Sequence, residues 1–354
     1  MRLPSPNPKV YIIILNYNGW GDTIECLESV LRLEYDNYQV IVVDNESTDG
    51  SVEKIKLWAD GMLDVWRNNN NPLKDRSFPP VAKPVQIIEL DRKQAECMNS
   101  PGHESGMEHT SGRLAPVILI NSGSNLGFAG GNNVGIRYAM KKNDFQYLWL
   151  VNNDTVVNPD ALTTLVERMH QKPEAGMCGS TIIYYHNPDK VQALAGANYN
   201  KWLALSKHIC PLQNVNAPVN IHKVEKKLSY IVGASMLLSK RFIKDIGLMC
   251  EEYFLYFEEL DWATRAKGRF RMAYAPGSIV YHKEGSSIGS NWNGALKSKL
   301  ADYYGNKNKI VFTRKFYSIA LPTVILSFIG VIINRIRRRQ WDRVWMMLKI
   351  LFLS

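Results

Sequence analysis

Short apolar runs alternate with amphipathic stretches through the first half of the chain, and this alternation constrains the fold most. Residues 10–15 (VYIIIL) form a continuous apolar run that ends in Asn-Tyr-Asn-Gly, which predicts a buried strand followed by a turn. Helical spacing follows over residues 23–33, and a second apolar run over 39–43 stops at Asp44. Strand and helix in this order at short spacing predict an α/β fold with a mainly parallel, doubly wound sheet.

The same patterns extend the prediction along the chain. They predict helices over 51–59, from near Gly131 and over 258–267, and strands over 117–120, 147–151, 176–185, 233–239 and 270–281. Between residues 64 and 116 the pattern breaks down into Asn-rich, Pro-rich and polar segments, with one candidate edge strand at 85–90. We interpret 64–116 as a flexible insertion or an active-site flap within a domain that spans residues 1–296.

A basic and apolar tail occupies residues 297–354, where we expect helices. The tail carries twelve Lys or Arg residues against two Asp or Glu residues, so the net charge of +10 resides there and the rest of the chain is neutral. This distribution argues against a nucleic-acid partner and favours contact with anionic lipid. Residues 316–334 contain no charge, and as a helix they would span about 28 Å, near the minimum for crossing a bilayer.

The flanks of this uncharged run are basic on both sides, which opposes a simple crossing of the membrane. We therefore predict a peripheral or monotopic anchor through residues 314–354, with a single spanning helix as the second interpretation. The alternative is a helix packed on the preceding domain or in a homodimer interface. Five scattered cysteines without a CxxC pair indicate reduced thiols, so we place the protein on the cytoplasmic face of the cell membrane.

Polar residues follow three of the predicted strands at the points where they end. These segments are 16–18 after the first strand, 44–50 after the second and 152–155 after the fourth. Each alone is compatible with an ordinary turn. Because ligands of open α/β sheets bind beyond the carboxyl ends of the strands, three such segments on one rim indicate a polar ligand.

A glycine-rich segment, residues 125–135 (NLGFAGGNNVG), leads into a predicted helix. Glycines at this point let backbone N–H groups approach an anion at the positive end of the helix dipole. The segment matches neither GxGxxG after the first strand nor GxxxxGK[ST]. Dinucleotide oxidoreductases and P-loop ATPases are therefore disfavoured.

A candidate metal site follows the strand at 147–151. Asn152 and Asp154, joined by His282, offer ligands that suit Mg²⁺ or Mn²⁺. Such an ion shares its remaining coordination sites with the phosphates of a substrate.

Acidic residues crowd at the start of the predicted helix 258–267. Glu258, Glu259 and Asp261 fall within four residues, and Trp262 follows them. Acidic residues at a helix N-terminus are ordinary partners of the dipole. However, three carboxylates so close together repel each other, and aromatic residues surround them. We therefore expect one carboxyl to keep a raised pKa and to act as a base.

Seven segments, in order, carry a family resemblance: ILNYNG, VVDNESTDGS, NLGFAGGNN, NNDTVVNPDAL, VGASML, YFEELDWATR and VYHKEGSS. Together they resemble the inverting family 2 glycosyltransferases, and among these the rhamnosyltransferase-like enzymes of cell-surface polysaccharide synthesis. The resemblance covers residues 9–290 outside the insertion. It implies a GT-A fold with the nucleotide-sugar site at the strand ends.

The resemblance also implies roles for individual residues. Tyr17 would stack on a pyrimidine, and Asp44 would accept the imide N–H of that base. Asp154 and His282 would hold the metal ion, and Glu259 would be the catalytic base. The rest of the nucleotide–diphosphate pocket would comprise Asn16, Asn45, Asn125, Gly127, Gly131, Asn133, Asn152 and Asn153. The acceptor side would comprise Glu258, Asp261 and Trp262.

The implied activity is inverting, non-processive transfer of a hexosyl or rhamnosyl group from a UDP- or dTDP-linked donor to a saccharide or lipid-linked acceptor. Asn152 stands where the family's DxD motif has its first acid, and the QxxRW motif of processive synthases is absent. The first alternative is a catalytically impaired nucleotide-sugar-binding protein. The second is a sugar-1-phosphate nucleotidyltransferase, a class that should carry a Gly-rich loop with Arg and Lys where this chain has NYNGWGD.

Overall fold

The computed structural model describes residues 7–63, 71, 73–97, 116–283 and 298–353. The strands of these residues are β1 (Val10–Asn16), β2 (Tyr38–Asp44), β3 (Ile87–Asp91), β4 (Val117–Asn121), β5 (Tyr147–Asn152), β6 (Thr155–Val157), β7 (Ala175–Tyr184), β8 (Asn187–Leu194), β9 (Gly196–Asn200), β10 (Leu205–His208), β11 (Tyr230–Ile231), β12 (Ser235–Ser239) and β13 (Arg271–His282). The helices are α1 (Trp20–Val30), α2 (Ser51–Ala59), α3 (Lys74–Ser77), α4 (Arg92–Cys97), α5 (Gly127–Lys142), α6 (Ala161–Gln171), α7 (Ile221–Lys227), α8 (Lys240–Ile246), α9 (Glu258–Ala266), α10 (Lys299–Phe316), α11 (Leu321–Arg337) and α12 (Trp341–Leu353).

A mixed sheet, mainly parallel, forms the centre of the fold. Its strand order is β3-β4-β2-β1-β5-β12-β7-β13-β6, and β8 pairs with β7. The five neighbouring strands β3, β4, β2, β1 and β5 all run parallel. Strand β12 runs antiparallel to both of its neighbours, β5 and β7. A smaller sheet has the order β10-β9-β11. The predicted fold class is confirmed.

Apolar side chains cover both faces of the large sheet, which explains the continuous apolar run of β1. Ile12 and Ile14 are fully buried on one face together with Trp149. Ile13 is fully buried on the other face with Leu148. A strand with helices on both sides has no polar face to present to water, so its residues do not alternate.

The register of the parallel strands brings their polar ends to one rim. Asn16 pairs in register with Asp44, and Asp44 in turn pairs with Asn121. On the other side of β1, Leu15 pairs with Asn152. The predicted convergence of these strand ends is therefore present in the fold.

Element boundaries depart from the sequence predictions in a few places. The helix predicted from near Gly131 begins earlier, at Gly127. The φ of Gly127 is 69°, a value that glycine adopts readily, and the next N–H, that of Phe128, donates to the Phe254 carbonyl at 2.7 Å. The predicted edge strand is β3, at the end of the large sheet. Of the segment 64–116 that was predicted as a flexible insertion or flap, residues 71, 73–97 and 116 are described and include α3, β3 and α4. The remaining residues of that segment lie outside the described part of the chain.

The tail is helical and forms two distinct contacts. Phe312 of α10 is fully buried and packs with Tyr253 and Leu260 of the preceding domain. The helices α10, α11 and α12 also share a small apolar cluster with Ala204 of the preceding domain; its tail members are Ile310, Val324, Phe328, Met347 and Ile350. The first tail helix is thus part of the domain's packing.

Candidate active site at the carboxyl ends of the strands

A network of buried side chains joins the ends of β1, β2 and β5. The Asn16 amide donates to Asp44 Oδ1 at 2.7 Å and to Ser47 Oγ at 3.1 Å. Asn16 Oδ1 accepts from the Thr23 hydroxyl at 2.7 Å, and the Asn153 amide donates to that hydroxyl oxygen at 3.1 Å. The network fixes the floor of the rim, and the predicted Tyr17 lies half-buried directly after it.

The second predicted group joins the end of β2 to the start of α5. The Asn45 amide donates to Asn125 Oδ1 at 3.0 Å and to the Gly127 carbonyl at 3.2 Å. In return, Asn45 Oδ1 accepts the Leu126 N–H at 3.0 Å. A Cβ at Gly131 would lie 2.4 Å from a methyl of Leu15, so a larger residue there would push the Leu15 side chain or the helix away. The structure therefore brings these predicted residues together.

Asn133 is deeper in the fold than a ligand-lining residue would be. Its side chain is fully buried, and its amide donates to the Met249 carbonyl at 2.9 Å and to Glu251 Oε1 at 2.8 Å. Its Oδ1 accepts the Met249 N–H at 3.1 Å. Asn133 thus fixes the segment that leads towards α9, and a direct contact with the nucleotide stays a prediction.

Asp154 and His282 lie against each other at the end of β13. His282 Nε2 is 3.2 Å from Asp154 Oδ1, and His282 Nδ1 is 2.9 Å from Gln192 Oε1. Burial opposes a charge on Asp154, but His282 and Lys283 outweigh it and hold the pKa of this carboxyl below its usual range. Sequence analysis missed Gln192, which fixes the orientation of the imidazole.

This pair fits a divalent cation that is completed by a substrate. Asp154 is 5% exposed and ionised, and the imidazole is held from its far side, as metal-binding histidines usually are. Among the residues that the structure describes, no group of three or more His, Cys, Asp or Glu side chains is placed to hold a metal ion. Two protein ligands leave coordination sites for water and for diphosphate oxygens, which is the usual arrangement for Mg²⁺.

Two adjacent carboxyls begin α9, one buried (Glu258) and one half-buried (Glu259). Glu258 is 2% exposed and its Oε2 has no hydrogen-bond partner, whereas Glu259 Oε1 accepts the Gly233 N–H at 3.2 Å. Burial raises the pKa of the Glu259 carboxyl. Burial and then the neighbouring Glu259 raise the pKa of Glu258 well above its usual range. At least one proton is therefore held at this pair above the pH at which an exposed glutamate loses its own.

Glu259 is connected to the end of β5, two residues before Asp154, through the segment that precedes β12. The Asn152 N–H at the end of β5 donates to the Ala234 carbonyl at 3.2 Å, and the adjacent Gly233 N–H donates to Glu259. A Cβ at Gly233 would lie 2.6 Å from Glu259 Oε1, so a larger residue there would displace the end of the Glu259 side chain. The residues predicted to hold a metal ion and the residue predicted to be the base thus lie at the same end of the sheet.

Asp261 and Trp262, assigned to the acceptor side from sequence, do not reach the rim. Both are fully buried. Asp261 accepts from Arg265 at 2.6 Å and from Lys315 at 2.8 Å, and the Trp262 indole N–H donates to the Gly247 carbonyl at 2.8 Å. In this structure they hold α9 in place, because the helix turns them towards the core.

Asn308 of α10 is a site-supporting residue that sequence analysis did not find. Its side chain is fully buried, and its amide donates to the carbonyls of Tyr253, Leu255 and Tyr256 at 2.8, 2.8 and 3.0 Å. Tyr256 and Phe257 have φ values of 66° and 78°, which are uncommon for bulky residues. Asn308 therefore clamps the strained segment that presents Glu258 and Glu259. In the sequence it is one polar residue in a polar helix.

Comparison with solved structures shows the fold. The mannosyltransferase PcManGT from Pyrobaculum calidifontis, in complex with GDP-Man and Mn²⁺, superposes with a TM-score of 0.50 at 12% identity, covering 98% of this chain and 86% of that one. TarS 1–349 from S. aureus in complex with UDP-GlcNAc gives a TM-score of 0.45 at 14% identity, covering 92% and 80% of the two chains, a weaker likeness that carries no argument. The architecture is a GT-A fold.

Sequence comparisons assign the family. The profile described as "Glycosyltransferase like family 2" matches residues 114–305, more than half of the chain, and "Glycosyl transferase family 2" matches residues 11–75. The chain therefore belongs to the family 2 glycosyltransferases. The low-salt glycan biosynthesis hexosyltransferase Agl10 of Haloferax volcanii is 22% identical over 236 residues, which cover 67% of this chain and 70% of that protein. The rhamnosyltransferase-like subgroup stays a prediction.

Proposed function

We propose that this glycosyltransferase moves a hexosyl or rhamnosyl group from a UDP- or dTDP-linked donor to a saccharide or lipid-linked acceptor, with inversion at the anomeric carbon. The observation that carries the proposal is the Glu258–Glu259 pair, which is joined through Gly233 and Ala234 to the end of β5. A buried carboxyl with a raised pKa suits a group that accepts a proton near neutral pH.

The donor's place in this proposal follows from the rim. The loop after β1 and the Asp44 carboxylate would hold the base. The start of α5 would lie beside the diphosphate, with its first N–H groups already donated to Asn45, Asn125 and Phe254. Asp154 and His282 would hold a Mg²⁺ or Mn²⁺ ion. That ion, when bound, would stabilise the negative charge that develops on the leaving diphosphate. The mannosyltransferase complex with GDP-Man and Mn²⁺ supports a nucleoside-diphosphate sugar as donor and a divalent metal, whereas its base is a purine.

In the transfer step, Glu259 would take the proton from an acceptor hydroxyl. The acceptor oxygen would form a bond to the anomeric carbon on the face opposite the diphosphate, and the bond between that carbon and the diphosphate oxygen would break. One in-line displacement inverts the centre. Glu259 needs to lie on the acceptor face for this, across the rim from Asp154.

A panel of nucleotide sugars tests the proposal. The full-length protein is incubated with each donor, Mn²⁺ and saccharide or lipid-linked acceptors, and mass spectrometry detects released nucleoside diphosphate and the glycosylated product. We expect transfer from one donor class, with an inverted anomeric configuration by NMR. Pyrophosphate released from a nucleoside triphosphate would indicate a nucleotidyltransferase instead. Donor binding without any transfer would indicate the impaired binding protein.

We also propose that residues 314–354 hold the enzyme on the cytoplasmic face of the membrane as a monotopic anchor. Residues Ser318–Arg337 are long and apolar enough to cross a bilayer, and 17% of this window is buried. Leu326, Ile333 and Trp345 are 63%, 51% and 66% exposed, an apolar surface that lipid would cover. The buried contacts of α10 fix this surface relative to the catalytic domain. A spanning helix and a homodimer interface are the competing interpretations.

A further inference from the structure

A groove of about 450 Å³ lies between α10 and α11, remote in sequence from the catalytic residues. Three basic side chains, Lys309, Arg335 and Arg338, line it together with one acidic side chain, Asp302. Asp302 is 4% exposed and accepts from Arg335 at 2.9 Å and from Arg343 at 2.7 Å. Its charge is therefore neutralised within the wall, and the groove keeps a net positive charge.

Polar and small residues shape the rest of the groove. Asn306 is 7% exposed and donates to the Asp302 backbone carbonyl at 2.7 Å, so its position is fixed. Asn334 and Ser327 line the α11 side. Gly330 lies between them, and a Cβ built there would meet nothing within 4 Å. The Asn306 amide donates to Asp302 and the Ser327 hydroxyl to the Val324 carbonyl, so neither donates into the groove. The lining groups that suit a phosphate are the guanidinium of Arg338, the ammonium of Lys309 and the amide of Asn334.

The neighbouring stripe of α11 is apolar and exposed. Leu326, Ile329 and Ile333 are 63%, 48% and 51% exposed. Each lies one position before a residue that lines the groove. A phosphate group alone would not need this stripe. A phosphate joined to acyl chains would cover the stripe with its chains and place its charge in the groove.

We propose that the α10–α11 groove is a binding site for the phosphate headgroup of an acidic membrane phospholipid. The inference rests on the proposed membrane contact of the tail and is independent of glycosyl transfer. Arg338 and Lys309 would contact the phosphate, while Arg335 stays paired with Asp302. Because Lys309 follows Asn308 in α10, a lipid in the groove would lie next to the residue that clamps the 253–256 segment.

Three variants of the full-length protein test the site. Arg338→Gln removes a charge from the groove, and Gly330→Leu fills the groove without a backbone clash and raises helix propensity. Arg337→Gln is the matched control, since it removes a charge from the same helix outside the groove lining. Binding of monomeric short-chain phosphatidylglycerol is measured by calorimetry, with short-chain phosphatidylcholine and inorganic phosphate as comparison ligands.

We expect the wild-type protein and Arg337→Gln to bind phosphatidylglycerol equally, and both groove variants to bind about tenfold more weakly. Gly330→Leu adds apolar surface, so weaker binding in that variant would not result from lost hydrophobic contact. Equal losses in Arg337→Gln and Arg338→Gln would overturn the site in favour of diffuse attraction. Binding of inorganic phosphate as tight as that of the lipid would overturn the lipid as ligand.

Flotation with phosphatidylcholine vesicles, with and without phosphatidylglycerol, separates this inference from the membrane proposal. Wild-type protein that binds the short-chain lipid but no vesicle would support the groove and contradict the anchor. Flotation that is unchanged in both groove variants would leave the anchor intact and overturn the groove as its lipid site. Neither readout depends on sugar transfer.

Discussion

Asp154 carries a charge in a place where charges are costly. The side chain is 5% exposed, and the charge persists because His282 and Lys283 hold the pKa of its carboxyl down. We predict that Asp154→Ala abolishes metal-dependent binding of the donor, because no acid next to it replaces the lost ligand. Calorimetry of donor binding with Mn²⁺ and with EDTA checks this.

The matched control is Asp144→Ala. Asp144 precedes β5, whereas the rim lies at the other end of that strand, and its carboxylate pairs with Lys9. Its loss should leave the metal dependence intact. Donor affinity in Asp154→Ala that still falls on adding EDTA, as in the wild type, would contradict the metal assignment.

The raised pKa of the Glu258 carboxyl makes the stability of the folded protein fall as the pH rises. The folded state binds its proton more tightly than the unfolded chain, so the stability it contributes is present below its usual pKa and is lost as the pH rises towards the raised value. Glu258→Gln keeps the neutral shape and removes this loss. We predict a variant that matches the wild type at acid pH and exceeds its melting temperature at neutral pH. A melting-temperature difference that does not change with pH would count against a raised pKa.

At the scale of elements, α10 acts as a support for the catalytic helix. Asn308→Ala would leave the carbonyls of Tyr253, Leu255 and Tyr256 without their shared donor, at a cost of about 1–3 kcal/mol. We expect lower kcat with little change in donor affinity, because the carboxyl pair shifts while the nucleotide side stays in place. Urea denaturation and steady-state kinetics measure both effects.

The control for this variant is Arg314→Ala, which removes an exposed side chain of the same helix. It should change stability by less than about 0.5 kcal/mol. If Asn308→Ala weakened donor binding and left kcat unchanged, the clamp would act on the nucleotide side instead.

Sequence patterns predicted the elements whose signal is local. The apolar runs of β1 and β2 and the polar residues at their ends, Asn16 and Asp44, placed the rim correctly. Contacts that depend on the tertiary arrangement were not predictable. Trp262 looked like an acceptor residue because it follows the acidic cluster, but the direction of α9 turns it into the core. Asn308 reaches carbonyls more than fifty residues away, and no local pattern marks it.

At the scale of the whole molecule, the tail combines a packed helix with an exposed apolar pair of helices. We predict that a chain ending at Tyr317 folds, because it keeps Phe312 and Asn308, but leaves the membrane fraction. A chain ending before α10 should be unfolded, since Asp261 loses Lys315 and the 253–256 segment loses its clamp. Circular dichroism and cell fractionation measure the two outcomes.

The opposite pattern would contradict the anchor. Full-length protein that is soluble without detergent, combined with an unfolded chain ending at Tyr317, would assign α11 and α12 to the packing of the domain or to a dimer.

Conversion of Glu259 to Gln tests the central claim most directly, because it separates donor binding from transfer. The variant keeps the shape of the side chain and cannot accept a proton, so turnover should fall by about two to four orders of magnitude while the donor dissociation constant stays the same. Glu252→Gln, an exposed glutamate seven residues earlier, should retain full turnover. Measured together, unchanged donor affinity with lost transfer in Glu259→Gln is the predicted result; wild-type turnover in that variant would contradict the account.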